Sequence, residues 1–367
     1  MLQLPCRSLN MGLRKYLAEH GAVDRLGELS NIFGRRAFVI GGPTALGVAE
    51  KRIEHSLCDA GISYTFRRFK GVCSHRQIGA LTKEARDFSA EMIIGVGGGK
   101  ALDTSKAVAY HMNVPIITVP TIAATCAAWA PLSVMYTDDG CPIGGLDTYA
   151  PEFVVCDHSI LCKSPMRYFA AGLGDSLAKW PELGIGESQG NELYHAGIQV
   201  ARYIFDVCLE LGERISCNIS QEELDTSLQV AIDIAIPLTG LVSELTSGVM
   251  GGSDLALVAH GVDNALLVIS EKTHTYLHGE RVTFGLIPHL LLNQASQDII
   301  QKVMRFIYNL GLPLEFRDLG LDESIIPELS KRVFEAPGIT DSGISVEQIE
   351  CAFHDYQELV RTFKNAQ

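Results

Sequence analysis

The amino-acid sequence predicts two domains: an α/β N-terminal domain on a parallel, doubly wound sheet (residues 1–163), and an all-helical C-terminal domain (residues 164–367). Short apolar segments alternate with amphipathic helical segments over the first half, which is the pattern of strand–helix–strand units. After Asp157 nearly every segment has the 3.6-residue period of a helix. Pro165 is well placed as the first residue of a helix, so we put the domain boundary just before it.

The N-terminal elements follow one another in order. Apolar runs bounded by turn residues predict strands at 37–42, 62–69, 91–97 and 114–120. Amphipathic segments, the first of them closed by a glycine, predict helices at 45–61, 76–90 and 99–112. The segments 132–145 and 152–157 read as further strands around an Asp-Asp-Gly turn, which suggests an edge hairpin.

Composition and charge exclude several classes of partner. A net charge of −13 argues against nucleic acid and anionic membrane surfaces, because both are polyanions. No uninterrupted apolar run approaches the roughly 20 residues of a membrane helix. The 10 cysteines include no C-x-x-C pair, and the N-terminus has no secretory pattern. We therefore expect a cytoplasmic protein with reduced thiols and a small-molecule substrate.

The segment IIGVGGGKALDTSKA, residues 93–107, predicts a phosphate-binding turn between a strand and a helix. It matches neither common fingerprint, because Lys100 stands where the dinucleotide pattern needs glycine, and Ala101 where the P-loop needs Ser or Thr. Its consecutive glycines nevertheless permit close approach of a ligand, and the following helix offers free N–H groups. A tight turn without a ligand is the alternative. We favour a diphosphate site.

Three residues of the helical half form a candidate metal site: Asp175, His260 and His278. The histidines are 18 residues apart, so in one continuous helix they would lie roughly 27 Å apart. The polar segment 270–275 between them predicts a chain reversal that lets both face one point, and a glycine follows each histidine and permits close helix approach. Asp/His/His suits zinc with one coordination position open. Spacing alone leaves His274 and His278 as a rival pair.

Five segments occur in order along the chain: GVGGGKALDTSKAVA, VPTIAATCAAWAPLSVMYTDDG, AAGLGDSLAKW, AHGVDNAL and HGERVTFG. Together they resemble the glycerol dehydrogenase branch of the iron/zinc-containing alcohol dehydrogenase superfamily, closest to hydroxycarboxylate dehydrogenase A-like proteins. The resemblance implies the dehydroquinate synthase-like/iron-containing alcohol dehydrogenase architecture and a homo-oligomer. It also implies that Asp175, His260 and His278 bind Zn²⁺ or another divalent metal, which excludes His274. The residues it implies at the NAD(P)(H) cofactor are Gly42, Gly97, Gly98, Gly99, Lys100, Asp103, Thr121, Ala124, Leu132 and Tyr136.

Three positions depart from that family's pattern. Cys126 replaces an aspartate that contacts the polyol, which disfavours glycerol. Lys179, one helical turn after Asp175, replaces a histidine of iron-dependent relatives, and its ammonium suits a substrate carboxylate; the alternatives are a solvated lysine or an ion pair with Glu182. Gly42 replaces a ribose-binding acid, so NADP(H) is favoured over NAD(H).

Three further residues bear on these interpretations. Arg67 or Arg68 could attract a 2′-phosphate, or both could be solvated at the strand edge. Trp129 is a candidate apolar wall of the substrate site or a core residue. Pro181 predicts a helix break close to the substituted lysine.

The resulting hypothesis is a metal-dependent NAD(P)(H) oxidoreductase that interconverts a small 2-oxo acid and a 2-hydroxy acid, with Asp175, Lys179, His260 and His278 as catalytic residues. An NAD-dependent glycerol or vicinal diol dehydrogenase is the alternative. A dehydroquinate-synthase-like lyase is a more remote one, because the helical half shows no basic cluster for a substrate phosphate. A metal- and nucleotide-binding protein without catalysis is the last.

Overall fold

The computed structural model describes residues 12–184, 192–217, 220–247, 257–336, 338–340 and 342–366. The chain divides into an N-terminal unit that ends at Pro165 and a C-terminal unit that begins at Met166. The boundary proposed from the sequence lies two residues earlier.

The N-terminal unit is built on a 6-stranded parallel sheet with the strand order β1-β8-β5-β4-β2-β3. Two more strands, β6 and β7, pair antiparallel. The strands are β1 Lys15–Glu19, β2 Arg36–Gly41, β3 Ser63–Arg68, β4 Met92–Gly97, β5 Ile116–Pro120, β6 Leu132–Tyr136, β7 Pro142–Asp147 and β8 Phe153–Asp157.

Two features of this sheet differ from the sequence prediction. The predicted hairpin forms, but β6 and β7 make a separate two-stranded sheet, whereas β8 is an interior strand between β1 and β5. Strand β1 was not predicted, because KYLAE has one buried residue, Leu17, and no apolar run. It is nevertheless ordered by parallel pairing along the whole of β8.

Helices cover both faces of the sheet. They are α1 Leu26–Ser30, α2 Pro43–Asp59, α3 His75–Asp87, α4 Gly99–Met112 and α5 His158–Leu161. Leu46 and Ile53 of α2 belong to the core on one face, and Ile78 of α3 and Val108 of α4 to the core on the other. The strand order reverses between β2 and β4, because β3 lies on one side of β2 and β4 lies on the other. Together with the helices on both faces, this reversal confirms the doubly wound architecture. Ligands of such sheets bind in the crevice at that reversal, at the carboxyl ends of the strands.

The described part of the C-terminal unit contains helices and no strand. The helices are α6 Met166–Gly184, α7 Glu192–Ser216, α8 Gln221–Asp233, α9 Thr239–Ser247, α10 Val258–Ile269, α11 His278–Leu292, α12 Gln297–Asn309, α13 Ile326–Phe334 and α14 Val346–Asn365. A π-helical stretch, Ile234–Leu238, joins α8 to α9. The predicted reversal is a short 3-10 helix, Glu271–Thr275, which folds α11 back against α10.

One stretch of this unit, Gln221–Thr246, is long and apolar enough to cross a membrane, with a mean hydropathy of 1.5. The sequence contains no uninterrupted apolar run here, because charged residues occur near its start and again at Asp233 and Glu244. However, 56% of its most apolar window is buried inside the protein, as in a core helix. Its composition alone therefore does not indicate a membrane segment.

Candidate metal centre and nucleotide loop

Three side chains from three helices converge in the C-terminal unit. Asp175 lies in α6, His260 in the first turn of α10, and His278 is the first residue of α11. Asp175 Oδ1 is 3.7 Å from Nε2 of each histidine. One ligand atom from each residue lies within 4.8 Å of the other two. The structure thus brings together the three residues that the sequence singled out.

Each histidine is oriented by a carboxylate. His260 Nδ1 lies 2.5 Å from Glu182 Oε2, and the His260 backbone N–H donates to Glu182 Oε1 at 3.1 Å. His278 Nδ1 lies 2.8 Å from Asp263 Oδ2, and Asp263 in turn accepts a hydrogen bond from Arg281 Nε at 2.6 Å. These bonds direct the two Nε2 atoms toward Asp175, as second partners of metal-binding histidines do.

The carboxylates of the centre are ionised although they are buried. Burial alone would raise the pKa of Asp175, but Lys179 and the two histidines hold it far below its ordinary value. Burial also opposes ionisation of Glu182, yet His260 lowers the pKa of that carboxyl to about 2. His278 and Arg281 lower the pKa of Asp263 in the same way against the effect of burial. Three ionised carboxylates therefore surround the histidine pair.

The residues present fit a divalent metal ion. Asp175 Oδ1 is buried and accepts no hydrogen bond of acceptable geometry from any residue that the structure describes. The charges of Lys179 and of the two histidines compensate in part for the lost hydration of this ionised oxygen, but it still lacks a well-aligned donor or ligand. A cation held by this oxygen and the two Nε2 atoms would supply it, and the donor set leaves a coordination position open.

Lys179 adds a cation to the centre from the next turn of α6. Its Nζ lies 3.2 Å from Asp175 Oδ1 and 3.4 Å from His260 Nε2, and its side chain is 16% exposed. The two alternatives considered from the sequence, a solvated lysine and an ion pair with Glu182, do not describe this geometry. The ammonium lies beside the candidate ligands themselves.

Two other sequence interpretations concern neighbouring residues. His274 lies outside the cluster, with Nε2 2.8 Å from the Leu267 carbonyl oxygen, so the rival His274/His278 pair does not form. The predicted helix break at Pro181 is wrong, because α6 continues through it to Gly184. The proline removes one intrahelical hydrogen bond but does not end the helix.

The glycine loop lies where the strand order reverses. Gly97 ends β4 with φ +145°, which an L-residue rarely adopts, and Gly98 is the N-cap of α4. A Cβ on Gly98 would lie 2.6 Å from Ile122 Cδ1, so a larger residue here would require the Ile122 side chain to move. Gly42, at the end of the neighbouring strand, is the N-cap of α2. Two helix N-termini thus meet at the switch point, which suits an anionic diphosphate.

The remaining residues predicted at the cofactor are distributed around this loop. Thr121 donates its backbone N–H to the Gly97 carbonyl at 3.1 Å. Lys100 is exposed in the first turn of α4, and its Nζ lies 5.9 Å from the centre of the Tyr136 ring. Ala124 is buried beyond β5, whereas Leu132 is 40% exposed at the start of β6.

Asp103 does not fit the predicted cofactor role. Its buried carboxylate lies 2.9 Å from Nζ of Lys106, which is also buried. Lys106 donates to the Ala130 carbonyl at 2.9 Å and to the Leu132 carbonyl. This pair connects α4 to the segment that leads into β6, and the carboxylate is already bound to the buried Lys106 ammonium. The correction follows from tertiary packing, since Asp103 and Lys106 look like an exposed i, i+3 pair in the sequence.

The structure also locates the residues that were predicted to bind the substrate or a 2′-phosphate. Cys126 begins a short 3-10 helix, Cys126–Ala128, and Trp129 follows it, with its ring edge-on to Tyr16 at 6.0 Å. Arg67 forms an ion pair with Glu84, and Arg68 Nη2 lies 2.7 Å from Glu50 Oε2. Both guanidinium groups therefore already have carboxylate partners, which weakens the argument that they attract a 2′-phosphate.

Sequence reasoning missed the carboxylates that hold the histidines. The sequence predicts Glu182 only as an alternative ion-pair partner of Lys179, and it predicts no role for Asp263 or Arg281. The one available signal was their position, because acidic residues inside otherwise apolar helical segments are rarely buried without a partner.

Comparison with known proteins gives consistent relationships. Residues 14–158 match the family model of iron-containing alcohol dehydrogenases. The chain is 34% identical to a glycerol dehydrogenase of Pseudomonas putida, over 91% of this chain and 93% of that protein. It is 33% identical to hydroxycarboxylate dehydrogenase A of Escherichia coli K12, over 81% and 80%. A probable glycerol dehydrogenase from Sinorhizobium meliloti 1021 has a similar crystal structure, with 27% identity and a TM-score of 0.82 over 97% of this chain and all of that one.

Proposed function

Because this chain belongs to the glycerol dehydrogenase branch of the iron-containing alcohol dehydrogenase family, and is thus an oxidoreductase, we propose that it oxidises glycerol or a related small vicinal diol. The proposal includes a divalent metal, with zinc as first choice, and NAD(P) as hydride acceptor. The cluster of Asp175, His260 and His278 carries it, since their donor atoms lie within 4.8 Å of one another. Relatives named glycerol dehydrogenase support the diol as the substrate class.

The chain's own residues prepare the site for this reaction. A divalent metal bound to the three side chains would supply a Lewis acid for the hydroxyl that loses its proton. Glu182 and Asp263 hold the imidazoles with Nε2 directed at the centre. A nicotinamide cofactor would accept the hydride. The N-termini of α2 and α4 would bind its diphosphate through backbone N–H groups.

Direct measurements of metal content and turnover test this proposal. The purified protein is stripped with a chelator, titrated with Zn²⁺, and assayed with glycerol and 1,2-propanediol in the presence of NAD or NADP. We expect one Zn²⁺ per chain, activity that depends on it, and loss of both in His260→Ala. His274→Ala is the matched control and should retain both, because that histidine lies outside the cluster. A chelator-resistant activity in a protein without stoichiometric metal would refute the proposal.

A 2-oxo/2-hydroxy acid is the second candidate substrate, and Lys179 is the observation that favours it. Its ammonium lies 3.2 Å from Asp175 Oδ1, and the side chain is mostly buried within the centre. In that position it would pair with a carboxylate on the carbon next to the reacting one. The cysteine at position 126, in place of a family carboxylate, agrees with such a substrate. The similarity to hydroxycarboxylate dehydrogenase A supports it as well.

Lys179→Ala separates the two candidates. If Lys179 binds a substrate carboxylate, kcat/KM for reduction of 2-oxobutyrate falls about 10- to 100-fold, the value of one charge-assisted hydrogen bond. The uncharged analogue 1-hydroxy-2-butanone should be reduced as before. An equal fall for both ketones would show that Lys179 acts on the centre itself, and the carboxylate role would be wrong.

A further inference from the structure

The last turn of α6 carries Glu182, the carboxylate that orients His260. This turn is intrinsically weak, because Pro181 has no N–H and leaves the Leu177 carbonyl without its usual intrahelical donor. The carbonyls of the last turn also lack intrahelical partners, as at every helix C-terminus. Glu182 nevertheless makes two bonds to His260 that require a fixed backbone.

Two side chains from other helices bind the carbonyls of this turn. His289 of α11 is 3% exposed, and its Nε2 lies 3.0 Å from the Pro181 oxygen. Tyr194 of α7 is fully buried and donates its hydroxyl to the Leu183 oxygen at 3.0 Å. These carbonyls flank Glu182 in the sequence, so the turn is held on both sides of the functional carboxylate.

Burial removes water from both ring nitrogens of His289, and only Nε2 gains a hydrogen bond among the described residues, to the Pro181 carbonyl. Since Nε2 must carry the proton to donate to Pro181, Nδ1 is left as an acceptor, and no described residue donates to it. Asn293 lies 3.4 Å from the same Nε2 but donates its amide to the His289 carbonyl at 2.9 Å. A buried imidazole with one unsatisfied nitrogen is destabilising, so an apolar residue would suit simple packing better.

We propose that His289 is a positioning residue of the metal centre: its hydrogen bond to the Pro181 carbonyl fixes the last turn of α6, and through Glu182 it sets the orientation of His260. This inference depends on the metal site proposed above. His289 touches none of the candidate ligands, so its effect on the metal passes through Glu182. Disturbing a second partner of a metal-bound histidine typically lowers metal affinity 10- to 100-fold.

A pair of amide substitutions isolates the hydrogen bond. The amide nitrogen of His289→Gln falls near the position of Nε2 and still reaches the Pro181 oxygen, whereas that of His289→Asn is one methylene too short. Zn²⁺ affinity is measured by competition with a chromophoric chelator on protein shown to be folded by its thermal transition. We expect roughly tenfold or weaker binding in His289→Asn and near wild-type binding in His289→Gln. His289→Leu, without any polar group, replaces the Asn variant if that variant does not fold.

A double-mutant cycle tests the route through Glu182. In a Glu182→Gln background the loss caused by His289→Asn should disappear, because the carboxylate it positions is gone. Tyr356→Phe, which removes another buried polar group in the same unit, is the control and should bind Zn²⁺ as the wild type does. Equal affinity in the Asn and Gln variants, or an undiminished loss in the Glu182→Gln background, would overturn the inference. A wild-type protein that binds no Zn²⁺ would instead refute the proposed function.

Discussion

Gly279→Ala tests whether the metal centre depends on close contact between two helices. Gly279 follows His278 in α11, and a Cβ at this position would lie 1.8 Å from the backbone oxygen of Ala171 in α6. A backbone atom cannot rotate away, so the helices must separate locally by roughly 1.5 Å to restore a normal contact. Overpacking of this kind costs about 1–3 kcal/mol of unfolding free energy.

The separation would occur beside two of the three candidate ligands. Ala171 lies one helical turn before Asp175, and Gly279 is adjacent to His278. A shift of this size would widen the present 3.7 Å between Asp175 Oδ1 and His278 Nε2. One ion needs both atoms at roughly 2.0–2.2 Å, so we expect Zn²⁺ affinity to fall at least tenfold. Zn²⁺ titration against a competing chelator, together with urea unfolding of the metal-free protein, measures both effects.

Gly261→Ala is the matched control, because Gly261 directly follows the other histidine. Its Cβ would meet first the tip of the Ile339 side chain, at 3.1 Å, which can move aside. Replacement of a helical glycine by alanine gains up to about 1 kcal/mol. This variant should therefore keep its metal affinity and lose no stability. If Gly279→Ala binds Zn²⁺ like Gly261→Ala does, the centre tolerates helix separation and the reasoning is wrong.

Two further predictions concern the N-terminal unit. Lys106→Met should lower the unfolding free energy by about 3–5 kcal/mol, because it leaves the buried Asp103 carboxyl unpaired, and adding Asp103→Leu should recover most of the loss in urea unfolding. The Asp157 side chain is fully buried, and burial alone would raise its pKa. Hydrogen bonds from Ser159 and from two backbone N–H groups, together with the charge of Arg52, lower the pKa of Asp157 below its usual value. Its stabilisation is therefore complete above the unfolded pKa of about 3.9 and is lost as pH falls through the folded pKa, so wild type and Asp157→Asn should converge in stability at acid pH in urea titrations.

The local features of this protein were predictable because they depend on neighbours in the chain. Strand–helix alternation predicted the doubly wound sheet, and the polar segment at 270–275 predicted the reversal between α10 and α11. The i, i+4 spacing placed Lys179 beside Asp175, as the structure also has it. Each of these follows from a fixed backbone period or from turn composition.

Strand β1 marks the limit of such reasoning. Its five residues have neither an apolar run nor a clear alternation, and their conformation comes from pairing with β8, more than 130 residues later. Pro181 shows the same limit within a helix, since surrounding contacts hold α6 together across a residue that local rules read as a break.

The amino-acid sequence by itself determined the order and type of most elements, the glycine loop between β4 and α4, and the three residues of the candidate metal centre. Only the tertiary structure decided which carboxylate serves which histidine. Asp263 is three residues from His260, yet it binds His278, while His260 pairs with Glu182 from a helix 78 residues away. Periodicity shows which face of a helix is buried, but the residue opposite that face depends on how helices cross and rotate, and those angles come from packing the whole unit.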